Sequence, residues 1–147
     1  MPLDPSYAGH TYPPAPPYLV GREKIREFAL AIGAADPAYV DPEAARKLGH
    51  PDVVAPPTFP IVLTAPGTQA MIDDPGLGLD FSRVVHGDQR FVYTRPVHGG
   101  DLITCTTTIE QVTSRAGTDF LTSRTDMVDE TGGPVVTTWS MLVVRGD

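Results

Sequence analysis

The sequence predicts an α+β fold in which one buried helix is wrapped by an antiparallel sheet. Three observations carry that expectation. The first is an apolar stretch over 58–73, where Phe59, Ile61, Val62, Leu63, Ala65, Ala70, Met71 and Ile72 do not share one narrow stripe. Such a pattern marks a helix covered nearly all round. The second is that everything after this stretch reads as strands separated by glycine turns. The third is that the 16 prolines concentrate before residue 67, which makes the first half loop-rich and the second half not.

The 147 residues suit a single domain, 1–147, with a real core. Eleven Lys and Arg against 18 Asp and Glu give a net charge of −7, which disfavours a nucleic acid or an anionic membrane as partner. The stretch 58–73 is too short and too interrupted to cross a bilayer. Cys105 is the only cysteine, so no internal disulfide and no cysteine-based zinc site is expected. No two of the four histidines stand at metal-ligand spacing, and neither metal nor cofactor is expected. Without a basic n-region or an apolar h-region at the start, no signal peptide is visible, and a reducing, cytoplasmic setting fits.

Taken in order, residues 1–17 hold a short strand near Tyr7–Tyr12 and then Pro13-Pro-Ala-Pro-Pro17, which reads as extended or disordered. Residues 22–32 form a helix, with Ile25, Phe28, Ala29 and Ile32 at i, i+3, i+4, i+7 and Gly33 as the stop. Asp41-Pro42-Glu43 opens a second, short helix that ends at Gly49. Thr58 caps the buried helix, and Pro66-Gly67 should kink it. Strands follow over 82–95, 102–114, 119–128 and 135–144, joined by turns at 98–101, 116–118 and 129–134. Val85, Phe91 and Tyr93 are expected on one face of the first. The last strand alternates with apolar residues on both faces, so one face can pack on the helix while the other, or the sheet edge, meets a partner.

Five stretches carry a specific resemblance: Arg22-Glu-Lys-Ile-Arg-Glu-Phe-Ala29, Asp36-Pro-Ala-Tyr-Val-Asp-Pro-Glu-Ala-Ala45, Ala55-Pro-Pro-Thr-Phe59, Val85-His-Gly-Asp-Gln-Arg-Phe91 and Arg95-Pro-Val-His-Gly-Gly-Asp101. They run through most of the chain. The chain resembles the MaoC-type (R)-specific hydratase/dehydratase family, in its N-terminal-domain or A-type subunit branch. The resemblance implies a hot-dog fold and a substrate class of acyl thioesters on ACP or CoA. It also implies edge-to-edge pairing of sheets, with a B-type hot-dog subunit in a heterodimer or with a second copy in a homodimer.

Active members carry a motif Gly-Asp-x-Asn-Pro-(Ile/Leu)-His-x-Asp-Pro. Its chemistry needs a base for the C2 proton, an acid for the C3 hydroxyl, and an N–H donor for the developing enolate oxygen at a helix N-terminus. Laid onto this chain, Pro37, Asp41 and Pro42 fit, and the motif Asn falls on Asp36. The catalytic Asp falls on Ala34, the catalytic His on Tyr39, and the oxyanion Gly on Pro56, which has no N–H. The resemblance therefore implies no catalytic residue at the family positions. The chain would instead shape a substrate tunnel and stabilise a partner bearing the intact motif, with Tyr39, Phe59, Val62, Leu63 and Phe91 as tunnel-lining candidates.

Alternatives stay open. A divergent hydratase would use His86 with Asp88, expected on one strand face at i, i+2, where a structural hydrogen bond is the plainer explanation. A thioesterase needs a carboxylate on the central helix, and 58–72 has none. A stand-alone homodimer that only binds acyl thioesters is the third. Asp36 and Asp41 each precede proline, and capping accounts for both. Arg22, Lys24, Arg83, Arg90, Arg95 and Arg124 offer material for a phosphate-binding patch, against ordinary solvation.

Overall fold

A computed structural model describes residues 2–146. Its centre is a five-stranded antiparallel sheet of β1 (Tyr18–Leu19), β2 (Val84–Tyr93), β3 (Leu102–Arg115), β4 (Thr118–Val128) and β5 (Pro134–Val144), in the order β1-β3-β4-β5-β2. The helices are α1 (Arg22–Ala31), α2 (Pro42–Lys47) and α3 (Ala65–Asp73). The curled sheet wraps the helical segment 59–73, so the hot-dog expectation holds.

The local chemistry explains most boundaries. Asp36 and Asp41 each accept a backbone N–H two residues on, from Ala38 at 2.9 Å and Glu43 at 3.0 Å, so both act as caps. Gly33 and Gly49 end α1 and α2 with φ of 71° and 92°, a region that favours glycine.

The central segment differs from one kinked helix. It is a 3-10 helix over Phe59–Thr64, followed by α3. Pro66 falls in the first turn of α3, where its missing N–H breaks no bond, so the change of helix type comes one step before the proline. Thr58 stands at the N-cap position but makes no side-chain capping bond. The segment is covered on one side only: Phe59 and Leu63 are buried, while Ala65, Pro66, Gln69 and Asp73 are exposed.

The β2–β3 hairpin expected at 98–101 does not form. Residues 97–99 instead pair with the strand-like link before the central helix: Ala55 N donates to Val97 O at 2.8 Å and Gly99 N to Val53 O at 2.9 Å. β2 is thereby carried to the far side of the sheet, beside β5, and leaves an open edge. β3, β4 and β5 form the expected meander.

The opposite edge is closed by the N-terminal segment. Gly9, Tyr12 and Ala15 donate to the carbonyls of Ile109, Thr107 and Cys105 at 2.7, 2.9 and 3.0 Å. In place of a strand over Tyr7–Tyr12 there is a 3-10 turn at Pro5–Tyr7 and a single bridge at Thr11. The Tyr7 and Tyr12 hydroxyls both donate to the Asp74 carboxylate at 3.0 Å, which anchors the exit of α3.

The core has two apolar clusters. One gathers Phe59, Leu63, Ile25, Val97, Ile103 and Met127, with Phe28 edge-on to Phe59 at 5.5 Å. The other gathers Met71, Leu3, Leu77, Ile109, Leu121 and Leu142. Between them α3 approaches the sheet most closely at Gly67, where a Cβ would overlap the Thr107 side chain. Helix propensity alone would make Gly67→Ala stabilising by about 1 kcal/mol. The contact reverses the sign: urea denaturation is expected to show a net loss of about 1–3 kcal/mol, partly restored by Thr107→Ala.

Candidate functional site

Of the positions to which the resemblance gives catalytic roles, Tyr39 and Pro56 stand near the residues that lead into the central helix. Tyr39, half-buried, lines a cavity of about 320 Å³ with Val54, Ala55, Pro57, Tyr93 and Arg95. Its mouth faces the N-terminus of the 3-10 helix. That N-terminus offers few donors. Pro56, Pro57 and Pro60 have no N–H, and Phe59 N donates back to Pro56 O at 2.9 Å. The Tyr93 hydroxyl donates to Pro57 O at 2.7 Å, and burial pushes its phenol above the ordinary range. Ala34 carries only a methyl group, and its N–H is spent on Ala29 O at 2.8 Å.

Arg95, at the rim, is held by a fork onto Asp101 at 2.9 and 3.0 Å and reaches Asp129 at 3.3 Å. Asp129 sits in a nest of donors. The Thr131 hydroxyl, the backbone of Gly133 and Thr131, and Arg95 hold its carboxyl down at about 2. The other cations of the expected patch are engaged separately: Arg22 with Asp52 at 2.8 Å, Lys24 with Glu27 at 3.3 Å, Arg124 with Glu110 at 2.9 Å. Arg90 stacks on Trp139 at 3.9 Å, and Arg83 lies 3.9 Å from Asp80.

The tunnel candidates divide. Phe59 and Leu63 are closed core, at 0% and 2% exposure, and Val62 and Phe91 pack against the same cluster. Val62 and Leu63 also line a cavity of about 200 Å³ under Pro16 and Tyr18. Tyr39 belongs to the other cavity. Cys105, beside Val62, is buried, and burial pushes its thiol up to about 11, so it stays protonated and unreactive at neutral pH.

The pairing of His86 with Asp88 fails. Gly87 is a β-bulge: His86 pairs with Leu142 but Asp88 with Met141, adjacent residues of β5. One extra residue turns the strand over. His86 faces the helix and Asp88 the outer surface. The same shift puts Val85 outside and Phe91 and Tyr93 inside. An isolated glycine inside a strand pattern was the available signal for a bulge.

Sequence reading also missed the inner face beyond the bulge. Two adjacent rows cross the sheet there, Thr107–Thr125–Thr138–Phe91 and Ile109–Ser123–Ser140–Gln89. They read as unremarkable polar positions in the sequence because nothing in the alternation says which face the helix covers. A cavity of about 230 Å³ opens between the second of these rows and the helix, lined by Thr64, Thr68, His86, Ser123 and Ser140 among others.

Residues 3–138 match the family described as "FAS1-like, dehydratase domain region". The chain belongs to this dehydratase family. It is 59% identical to a UPF0336 protein of Streptomyces coelicolor over 99% of this chain and 97% of the relative. Among solved structures it is similar to a MaoC-like dehydratase, with 30% identity and a TM-score of 0.88 over 96% of this chain; it spans 43% of that longer chain. It is also similar to the C-terminally truncated HadBC (3R-hydroxyacyl-ACP dehydratase) complex from Mycobacterium tuberculosis, with 32% identity, a TM-score of 0.84, and coverage of 97% of this chain and 99% of the other. Among the described residues of this dehydratase-family chain, no helix is long and apolar enough to cross a membrane, and no cluster of His, Cys, Asp or Glu is arranged to hold a metal.

The Asp129 nest gives a pH dependence. A carboxyl whose folded pKa lies below its unfolded value contributes stability above that unfolded value and loses it as pH falls through the folded one. Denaturation midpoints measured from pH 5 to pH 2 are therefore expected to fall between 3.8 and about 2, and Asp129→Asn to flatten that part of the curve.

Proposed function

We propose that this chain is the non-catalytic, A-type subunit of a (3R)-3-hydroxyacyl-thioester dehydratase. In this reading it forms a substrate tunnel and stabilises a B-type hot-dog subunit that carries the Asp/His motif. The complex would catalyse reversible loss of water from a (3R)-3-hydroxyacyl thioester, on ACP or CoA, to the trans-2-enoyl thioester. The observation that carries this reading is the start of the central helix. Where the chemistry needs an oxyanion donor, an acid and a base, this chain has a proline-blocked helix end, Ala34 and Tyr39. A phenol is a poor base at neutral pH, and Tyr39 has no carboxylate beside it in the cavity wall.

The mode of association follows from the sheet. β3 is covered by β1 and by residues 9–15, whereas β2 presents an open edge with Val85 and Val92 exposed at 44% and 52%. An uncovered edge strand of ten residues invites a partner strand. The likeness to HadBC, itself a complex, supports a second hot-dog subunit as the occupant.

Purified chain is expected to show no hydration of crotonyl-CoA or of a longer enoyl-CoA. Adding a motif-bearing hot-dog subunit should raise the rate by at least about 100-fold over either protein alone. Hydration by the chain alone, abolished in His86→Ala, would overturn the reading. A Val85→Lys/Val92→Lys double variant should weaken copurification with that subunit, raising the dissociation constant more than about tenfold, or about 1.4 kcal/mol. Unchanged affinity would place the interface elsewhere.

A further inference from the structure

The cavity between the central helix and the concave sheet has an unusual wall for an acyl tunnel. Half of its lining is apolar, Ile61, Met71, Phe81, Val84 and Leu142, and the other half is polar. Thr64 and Thr68 project from the helix side, Ser123 and Ser140 from the sheet, and His86 stands at the open β2 edge.

The donor and acceptor count of these groups is uneven. The Thr64 hydroxyl donates to Ile61 O at 2.7 Å, and that of Thr68 to Thr64 O at 3.3 Å. The Ser140 hydroxyl donates to Gln89 Oε1 at 2.6 Å. Each has spent its one proton and keeps lone pairs. Gln89 Nε2, directly behind Ser140, is buried without a partner. Rotating the amide would only move the deficit to Oε1, so the couple stays unsatisfied in either orientation. The hydroxyl of Ser123, a residue 6% exposed, has no hydrogen-bond partner among the described residues and can still donate. The wall thus offers mainly acceptors, with a donor on the far side. A plain methylene chain would cover these groups without pairing them, which is unfavourable. A ketone would bring only acceptors. A hydroxyl brings one donor for the lone pairs of Thr64, Thr68 or Ser140 and an acceptor for Ser123.

We propose that this cavity selects an acyl chain bearing a hydroxyl group remote from the thioester, held between Thr64, Thr68, Ser123 and Ser140. The proposal rests on the reading of the chain as a tunnel-forming subunit, and it narrows the substrate class of that tunnel. The neighbouring polar row, Thr107–Thr125–Thr138, does not line this cavity, and its Thr107 and Thr125 hydroxyls hydrogen-bond to each other at 3.1 Å.

The cavity wall is built from this chain alone, so the purified full chain suffices for a test. Calorimetric titrations would use decanoyl-CoA and the matched 5-, 7- and 9-hydroxy and 5-, 7- and 9-oxo decanoyl-CoAs. One hydroxy isomer is expected to bind at least about tenfold tighter than both the plain chain and its oxo counterpart. Ser123→Ala and Ser140→Ala should each erase most of that preference. Gln89→Met, of similar shape, should keep the fold and lower the preference by changing how Ser140 is held. Equal binding of plain and hydroxylated chains, or a preference untouched by both serine variants, would overturn the proposal and leave the proposed function standing. An oxo isomer matching the hydroxy isomer would overturn the assignment of a donor. No binding of any of these thioesters would count against the tunnel itself, and against this proposal with it.

Discussion

The contact between Gly67 and Thr107 sets the geometry on which the rest of the core depends. A helix can approach a sheet this closely only where a side chain is missing. With the spacing fixed at that point, the segment tilts its two ends into separate apolar clusters, Phe59 and Leu63 at one end and Met71 at the other. Residues near the point of contact are small and hydroxylated on both sides. Thr64 and Thr68 come from the helix, Thr107, Thr125, Ser123 and Ser140 from the sheet. The polar middle is therefore a consequence of close packing as well as a surface with chemistry of its own. Small side chains that bring the helix down also leave the cavity toward the β2 edge open.

The N-terminal segment acts on the same contact from outside. Residues 9–15 hydrogen-bond along β3 and close that edge, and Tyr7 and Tyr12 hold Asp74 just beyond α3. A proline-rich stretch suits this position. Pro13 and Pro14 have no N–H, so between Tyr12 and Ala15 the segment makes no donor bond to β3 and stays extended, while Gly9, Tyr12 and Ala15 donate to it and His10 O accepts from Ile109 N. The outcome is an asymmetric sheet, with one edge covered by its own chain and the other left as a full-length strand.

Much of this was legible in the sequence. The spacing of Ile25, Phe28 and Ala29 fixed α1, Asp41-Pro42 fixed the start of α2, and the glycine turns delimited β3, β4 and β5 to within a residue or two. Three features were not legible, each for a physical reason. The partner of β2 depends on where residues 97–99 find their hydrogen bonds, and those lie at Val53 and Ala55, far earlier in the chain. The faces of β2 depend on a single inserted residue at Gly87, which reverses the alternation on one side of it relative to the other. The central segment is apolar all round in its residue types, yet Ala65 and Pro66 are exposed. Small apolar residues contribute to an apolar count without requiring cover.

The candidate site shows the same division between composition and geometry. The residue types at 34, 39 and 56, to which the resemblance gives the catalytic roles, could be read directly, because the absence of a carboxyl, an imidazole and an N–H is a matter of chemistry and not of position in space. What the fold adds is that the loss is concerted. Pro56, Pro57 and Pro60 remove donors, Phe59 turns its N–H back onto Pro56, and Tyr93 reaches across from β2 to tie down Pro57 O. A helix start that was merely missing its glycine would still hold free N–H groups for a thioester oxygen. Here the backbone is fixed from both sides, and the tie itself comes from the strand whose outer edge is open. Tyr93 thus belongs at once to the wall of the Tyr39 cavity, to the tie on Pro57 and to the strand at the open edge of the sheet.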